Sequence, residues 1–205
     1  MSELLDPLDE SAVAGRRRHV ARWVASGVGV ALVAFVVLLA TRPSADERPI
    51  ASELVGRPVP AVTGPTLDGG TYDIDDARGR WVVVNFFATW CVPCQVEHPE
   101  LVAFERAHAA RGDAEVVSVA FQDSPEELRA FFARNGGDWP VIVGDTGRMA
   151  IEFGVTGVPE SYVVAPNGQV VAKFEGVTAE GLEQVIADVS GVTRRDPVAG
   201  SEATP

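Results

Sequence analysis

The chain has 205 residues, of which 46% are hydrophobic, which is enough for one ordinary domain with a full core and short extensions. Its formal net charge is −12, and the four acids and four arginines of residues 1–22 cancel, so the surplus of acid lies in the rest of the chain. Such a surface repels nucleic acid and no basic patch opposes it, which excludes nucleic acid as a partner.

The first predicted element is a transmembrane anchor over residues 23–41. Residues 23–40 carry no charge, and a helix of this length reaches about 27 Å, close to the thickness of the hydrocarbon core. Four arginines precede the segment and only Arg42 follows closely, so the positive-inside rule predicts a single-pass protein of the cell membrane, with a cytoplasmic N-terminus and an extracytoplasmic remainder. The alternative, a cleaved signal peptide, is disfavoured because the apolar run exceeds the usual length of about 7–15 residues and no clear cleavage site follows.

Three further segments follow the anchor. Residues 42–53 are rich in proline and charge and are predicted to be a linker, residues 54–190 form one domain, and residues 191–205 lack periodicity and are predicted to be a disordered tail. Within the domain the pattern predicts a β-hairpin, then strands alternating with helices, then a second hairpin and a closing helix. This order is typical of an α/β fold with a mixed central sheet flanked by helices and an N-terminal β-hairpin extension.

The residues with the clearest chemistry are Cys91 and Cys94, the only cysteines of the chain. A structural disulfide would close a loop too short to restrict the unfolded chain much, and a zinc site needs two further ligands that the neighbourhood does not supply. A redox pair needs only what is present. The pair follows the apolar strand "WVVVNFF", and Pro93 suits the first turn of a helix that runs to about Arg111, so the helix N-terminus should lower the pKa of the Cys91 thiol.

Glu97 is the predicted acid–base group of this site. It follows Cys94 by three residues and precedes Leu101 by four, so all three share one helix face. If Leu101 points inward, Glu97 is partly buried, and burial raises a carboxyl pKa so that the group can take and return the proton of the resolving thiol. The alternative is a solvated glutamate that is stabilised by the helix N-terminus.

The segments "VVVNFFATWCVPCQVEHPEL" and "GVTGVPESYVVAPNGQVVAKFEG" resemble the membrane-anchored, thioredoxin-like oxidoreductases of the TlpA, ResA and CcmG (DsbE) group. The resemblance covers about residues 54–190 and implies a thioredoxin-like fold. It also implies a cis-proline loop that faces the cysteines and binds the substrate chain, with Pro159 and Val158 in these roles, and a thiol-shielding Trp90. Glu160 is either a residue that tunes partner choice or an exposed loop charge.

The resemblance also implies a function. Where thioredoxin has a buried aspartate this chain has Asn85, which cannot titrate, so acid–base work would move to Glu97. We expect an extracytoplasmic thiol:disulfide oxidoreductase that needs no dissociable cofactor and acts on protein thiols and disulfides. The implied client is apocytochrome c, whose haem-attachment cysteines must be reduced, and the implied electron donor is a membrane thiol carrier. An oxidant that forms disulfides in secreted proteins and a non-catalytic anchored scaffold are the alternatives.

Overall fold

The computed structural model describes Trp23, residues 27–38 and residues 49–191, and the chain divides into two units, Met1–Ser44 and Ala45–Pro205. In the first unit residues 27–38 are helical and their apolar side chains are exposed. Among the described residues, no helix has both the length and the apolar character needed to cross a membrane. The rest of the predicted anchor, the predicted cytoplasmic tail, most of the linker and all but the first residue of the predicted C-terminal tail lie outside the described residues.

The second unit has its elements in the predicted order. They are β1 (Thr63–Pro65), β2 (Thr71–Asp73), a short 3₁₀ helix (Ile74–Ala77), β3 (Trp81–Phe87), α1 (Val92–Ala109), β4 (Ala114–Ala120), α2 (Pro125–Asn135), β5 (Val141–Ile142), α3 (Gly147–Phe153), β6 (Glu160–Val164), β7 (Val170–Phe174) and α4 (Ala179–Ser190). The predicted N-terminal hairpin is confirmed, since β1 and β2 pair antiparallel.

The central sheet is mixed, as predicted, with the strand order β5-β4-β3-β6-β7. Strand β3 pairs parallel with β4 and antiparallel with β6, and β6 and β7 form the closing hairpin. Because β3 lies at the centre and is covered on both faces, its residues after Trp81 are all buried. The register sets Asn85 of β3 opposite Ser118 of β4 and Ser161 of β6, which aligns three polar residues across the buried sheet.

Helices cover both faces of the sheet. One core contains Phe104 of α1, Leu128 of α2 and Leu182 of α4, all of which are fully buried. The other contains Phe153 of α3 together with Tyr72 of the N-terminal hairpin. The buried residues of each of these helices recur mainly at three- and four-residue spacing, so each helix buries one face and leaves the other in solvent.

Two helix starts follow the sequence signals closely. Ser124 caps α2 and its hydroxyl accepts a hydrogen bond of 3.2 Å from the N–H of Glu127, the contact that defines a capping box. Gly136 ends α2 with a φ of 77°, a conformation that other residues rarely adopt. Helix α1 begins one residue later than Cys91, which therefore acts as its N-cap.

Candidate active site

Cys91 and Cys94 are joined in a disulfide at the N-terminus of α1, with their Cα atoms 5.2 Å apart. The N–H of Cys94 points to the Sγ atom of Cys91 at 3.2 Å, so the first turn of the helix directs a donor at this sulfur. When the pair is reduced, this donor and the helix dipole favour the thiolate of Cys91. Cys91 is 5% exposed and Cys94 is 2% exposed, so both residues are buried in the oxidised pair.

The loop that carries Pro159 faces the pair. The bond between Val158 and Pro159 is cis, as the family resemblance implies, and the carbonyl oxygen of Val158 lies 3.4 Å from the Sγ atom of Cys91. Trp90 is 57% exposed beside the disulfide, and its Nε1–H donates to the carbonyl of Gln122 at 3.2 Å. The Val158 carbonyl therefore faces the Cys91 sulfur, and the predicted contact of Trp90, Val158 and Pro159 with a substrate chain stays a prediction.

Glu97 lies in the interior at 5% exposure, which excludes the interpretation as a solvated glutamate. Its Oε1 atom accepts a hydrogen bond of 2.8 Å from the side-chain amide of Asn85, and its Oε2 atom accepts one of 3.0 Å from the N–H of Val177. Both carboxylate oxygens are therefore held, one by the central strand and one by the segment that leads into α4. The predicted burial of Glu97 is confirmed, and its role as an acid–base group stays a prediction.

Asn85 extends this contact into a polar network that the sequence reasoning missed. Its Nδ2 atom also donates to Ser161 at 3.0 Å, and the hydroxyl of Ser118 accepts a hydrogen bond of 2.8 Å from the indole of Trp139. The Oγ atom of Ser118 lies 3.5 Å from Oδ1 of Asn85. The signal was available in the sequence, because Ser118 and Ser161 are polar residues next to apolar or aromatic residues inside strands that are buried. A buried polar residue needs a partner, so two such residues predict a polar contact between strands.

Glu160 is not an exposed loop charge, and that interpretation is wrong, because the residue is 1% exposed. Its Oε1 atom accepts hydrogen bonds of 2.9 Å from both the N–H and the hydroxyl of Thr156. Its Oε2 atom lies 2.9 Å from Nζ of Lys173 and 3.0 Å from the hydroxyl of Tyr162.

Burial alone would raise the pKa of Glu160. The hydrogen bonds from Thr156, Lys173 and Tyr162 outweigh burial and hold this pKa below its ordinary value. Glu160 therefore anchors the cis-proline loop from inside, and in this conformation it has no surface with which to contact a partner.

The two histidines of α1, His98 and His108, are both buried. Nε2 of His98 lies 2.9 Å from the carbonyl oxygen of Gly136, so this nitrogen carries the proton. Burial lowers the pKa of His98, and the hydrogen bond to Gly136 opposes that effect only in part. His108 contacts Asp113 at 2.7 Å and Glu183 at 3.0 Å. Within the described part of the chain, no three His, Cys, Asp or Glu residues lie close enough together to hold a metal ion.

Comparison with known proteins agrees with this site. The Redoxin family model matches residues 54–190. The thiol:disulfide interchange protein HelX of Rhodobacter capsulatus is 32% identical over 140 residues, which are 67% of this chain and 77% of HelX. The thiol:disulfide interchange protein DsbE of Allochromatium vinosum is 32% identical over 154 residues, which are 71% of this chain and 83% of DsbE.

A solved structure gives the same result for the fold. The thiol:disulfide interchange protein of Chlorobium tepidum, a thioredoxin-family protein, superposes with a TM-score of 0.59 at 26% sequence identity. The match covers 68% of this chain and 98% of that protein.

Proposed function

Because this chain belongs to the Redoxin family and is a thiol:disulfide oxidoreductase, we propose that it works outside the cytoplasm as a reductant of protein disulfides. The observation that carries the proposal is the pair Cys91–Cys94 at a helix N-terminus, with the buried carboxylate of Glu97 one helical turn beyond it. The substrates are the thiols and disulfides of other proteins.

The reaction follows from the positions of the two sulfurs, because Cys91 is the N-cap of α1 and its Sγ atom accepts the N–H of Cys94. The Cys91 thiolate attacks one sulfur of a client disulfide, which forms a mixed disulfide and releases the first client thiolate. The thiol of Cys94 then gives its proton to Glu97 and attacks Sγ of Cys91, which releases the second client thiolate and leaves Cys91 and Cys94 oxidised. The proton held by Glu97 passes to the released thiolate or to water, so two electrons have moved from the protein to the client.

The oxidised pair must then be reduced again. We propose a membrane thiol carrier as the donor, in which a dithiol becomes a disulfide as Cys91 and Cys94 regain two electrons and two protons. The client that fits best is apocytochrome c, because haem attachment needs two reduced cysteines in a compartment that tends to oxidise them.

Membrane attachment through the N-terminal segment belongs to the same proposal. Its support is the charge-free run of residues 23–40 and the exposed apolar side chains of helical residues 27–38, which need an apolar environment such as lipid. Fractionation of cells that express the full chain, followed by protease treatment of intact spheroplasts, tests both attachment and orientation. Release of the protein into the soluble fraction would overturn membrane attachment. Protection of the redox domain from protease would overturn its extracytoplasmic orientation.

The direction of electron flow is tested by the reduction potential of the Cys91–Cys94 pair, measured for the full chain in detergent micelles against glutathione. A value near −270 mV, about that of thioredoxin, supports a reductant. A value near −120 mV, about that of DsbA, would instead identify an oxidant of secreted proteins, since stabilising the Cys91 thiolate makes a pair more oxidising. A pair that does not cycle at all would favour a non-catalytic scaffold.

A further inference from the structure

The turn that leads into Cys91 is held by a carboxylate that the proposed reaction does not use. Residues 88–91 form this turn, in which the N–H of Cys91 donates to the carbonyl of Ala88 at 3.2 Å. We call these four residues the active-site turn. Its central residues are Thr89 and Trp90, and the N–H of Thr89 needs a partner from outside the turn.

Asp123 supplies that partner. Its Oδ2 atom accepts a hydrogen bond of 2.6 Å from the N–H of Thr89, and its Oδ1 atom accepts one of 3.1 Å from the hydroxyl of the same residue. Oδ1 also accepts a hydrogen bond of 2.9 Å from the N–H of Ser124, the N-cap of α2. One carboxylate therefore joins the active-site turn to the start of another helix, and charged acceptors make the stronger class of hydrogen bond.

The residue before Asp123 aims a second acceptor at the same turn. Gln122 has a φ of 48°, the one positive value among the non-glycine residues that the structure describes. Its carbonyl accepts the indole N–H of Trp90 at 3.2 Å. A non-glycine residue with a positive φ is uncommon and its conformation costs free energy. At Gln122 this conformation occurs where the loop makes two contacts with the active-site turn, from the Gln122 carbonyl to Trp90 and from Asp123 to Thr89. The backbone and the ring of the active-site turn are thus held from one loop.

We propose that Asp123 is a positioning residue of the redox reaction, an inference that rests on the proposed thiol–disulfide exchange. By fixing Thr89 it fixes the backbone that enters α1, and so keeps Sγ of Cys91 where the N–H of Cys94 is directed at it. Without this support the turn can rotate away from the helix end, and the Cys91 thiolate loses its donor. The position of the sulfur, rather than the negative charge of Asp123, is what the carboxylate contributes.

The test compares Asp123→Ala with the parent in the full chain in detergent. The pKa of the Cys91 thiol is read from the pH dependence of iodoacetamide alkylation in a Cys94→Ala background. Exchange with glutathione is followed in the chain that retains both cysteines. We expect the variant to raise this pKa and to slow exchange about tenfold at pH 7, which is the effect of losing a charge-assisted hydrogen bond. Glu126→Ala is the matched control, because Glu126 is an exposed acid in the first turn of the same helix that Asp123 precedes.

Each other result overturns the proposal. A lower pKa in Asp123→Ala, with a similar change in Glu126→Ala, would mean that only the charge acts on Cys91. An unchanged pKa and rate would mean that Asp123 only stabilises the fold. A parent chain that does not exchange with glutathione would remove the premise, which separates failure of the proposed function from failure of this inference.

A second pair of variants covers the case in which Asp123→Ala does not fold. Thr89→Ala removes one of the three hydrogen bonds and leaves Asp123 in place, whereas Thr89→Ser keeps the hydroxyl. We expect the alanine variant to shift the pKa of Cys91 upward by less than Asp123→Ala does, and the serine variant to restore the parent value. Equal values for all three chains would overturn the proposal.

Discussion

The side-chain amide of Asn85 donates a hydrogen bond of 2.8 Å to the carboxylate of Glu97, one helical turn beyond Cys94 in α1. Both residues are buried, and the second carboxylate oxygen is held by the N–H of Val177. The contact ties the predicted acid–base group of the site to the central strand of the sheet. A neutral amide here supports the carboxylate without competing with it for protons.

Replacing Glu97 by glutamine should slow the second step of the exchange reaction. The amide keeps the size of the side chain but cannot take a proton from Cys94, and loss of a positioned general base costs about a hundredfold or more in rate. Stopped-flow measurement of mixed-disulfide decay gives this rate. Glu100→Gln is the matched control, because Glu100 lies on the same helix and also accepts a backbone N–H, that of Ala179, at 3.0 Å. Equal rates for the two variants would rule out the acid–base role of Glu97.

The two cysteines should be separable by trapping. Cys94→Ser leaves the Cys91 nucleophile in place but removes the group that resolves the mixed disulfide, so a covalent adduct of Cys91 with a client should accumulate. Cys91→Ser should form no adduct and show no exchange activity. Non-reducing electrophoresis after reaction with a reporter disulfide distinguishes the two variants. Adducts in the Cys91→Ser chain would mean that the roles of the sulfurs are reversed.

The buried ion pair between Lys173 and Glu160 should matter for stability. Lys173→Met leaves a buried carboxylate without its cation, and loss of one partner of a buried pair costs about 3–5 kcal/mol in the free energy of unfolding. The donors from Thr156 and Tyr162 remain, so we expect the lower end of that range. Urea unfolding measures the loss.

The control for this prediction is Arg148→Met, which removes an exposed ion pair to Glu152 on α3. We expect no measurable change in its free energy of unfolding, because exposed pairs contribute little. Similar losses for Lys173→Met and Arg148→Met would show that burial of the Lys173–Glu160 pair has no special effect.

His98 should make the protein less stable below about pH 6.5. Its pKa is lowered in the folded state, so between that lowered value and the ordinary value of 6.5 the unfolded chain binds a proton that the folded chain does not. The free energy of unfolding therefore rises with pH across this interval and is lost as the pH falls through it. The glutamine of His98→Gln does not titrate, so the free energy of unfolding of this variant should depend less on pH between about pH 5 and 7. Urea unfolding at several pH values measures this dependence. Identical slopes for the two chains would contradict this account.

The sequence by itself determined the elements, their order and the chemistry of the cysteine pair. Strand β3 could be predicted because a strand that is buried on both faces has a continuous apolar run. Helix α2 could be predicted because Ser124, Glu127 and Gly136 mark its two ends through contacts with residues next to them in the chain. A two-residue spacing at a helix start depends on no distant residue, so Cys91 and Cys94 could be identified as a redox pair from their neighbours alone. The same reasoning placed Glu97 on the inner face of α1, one helical turn from Cys94.

Only the tertiary structure decided what surrounds these groups. Asn85, Ser118 and Ser161 meet because three strands align in one register, and no local pattern encodes a register between strands far apart in the chain. Glu160 follows a loop proline and reads as exposed, yet it is buried because Lys173 on the neighbouring strand pairs with it. Asp123 reaches Thr89 across 34 residues because the parallel strands β3 and β4 end at the same edge of the sheet. Local propensity acts over a few residues, whereas these contacts form only when the strands and helices pack together.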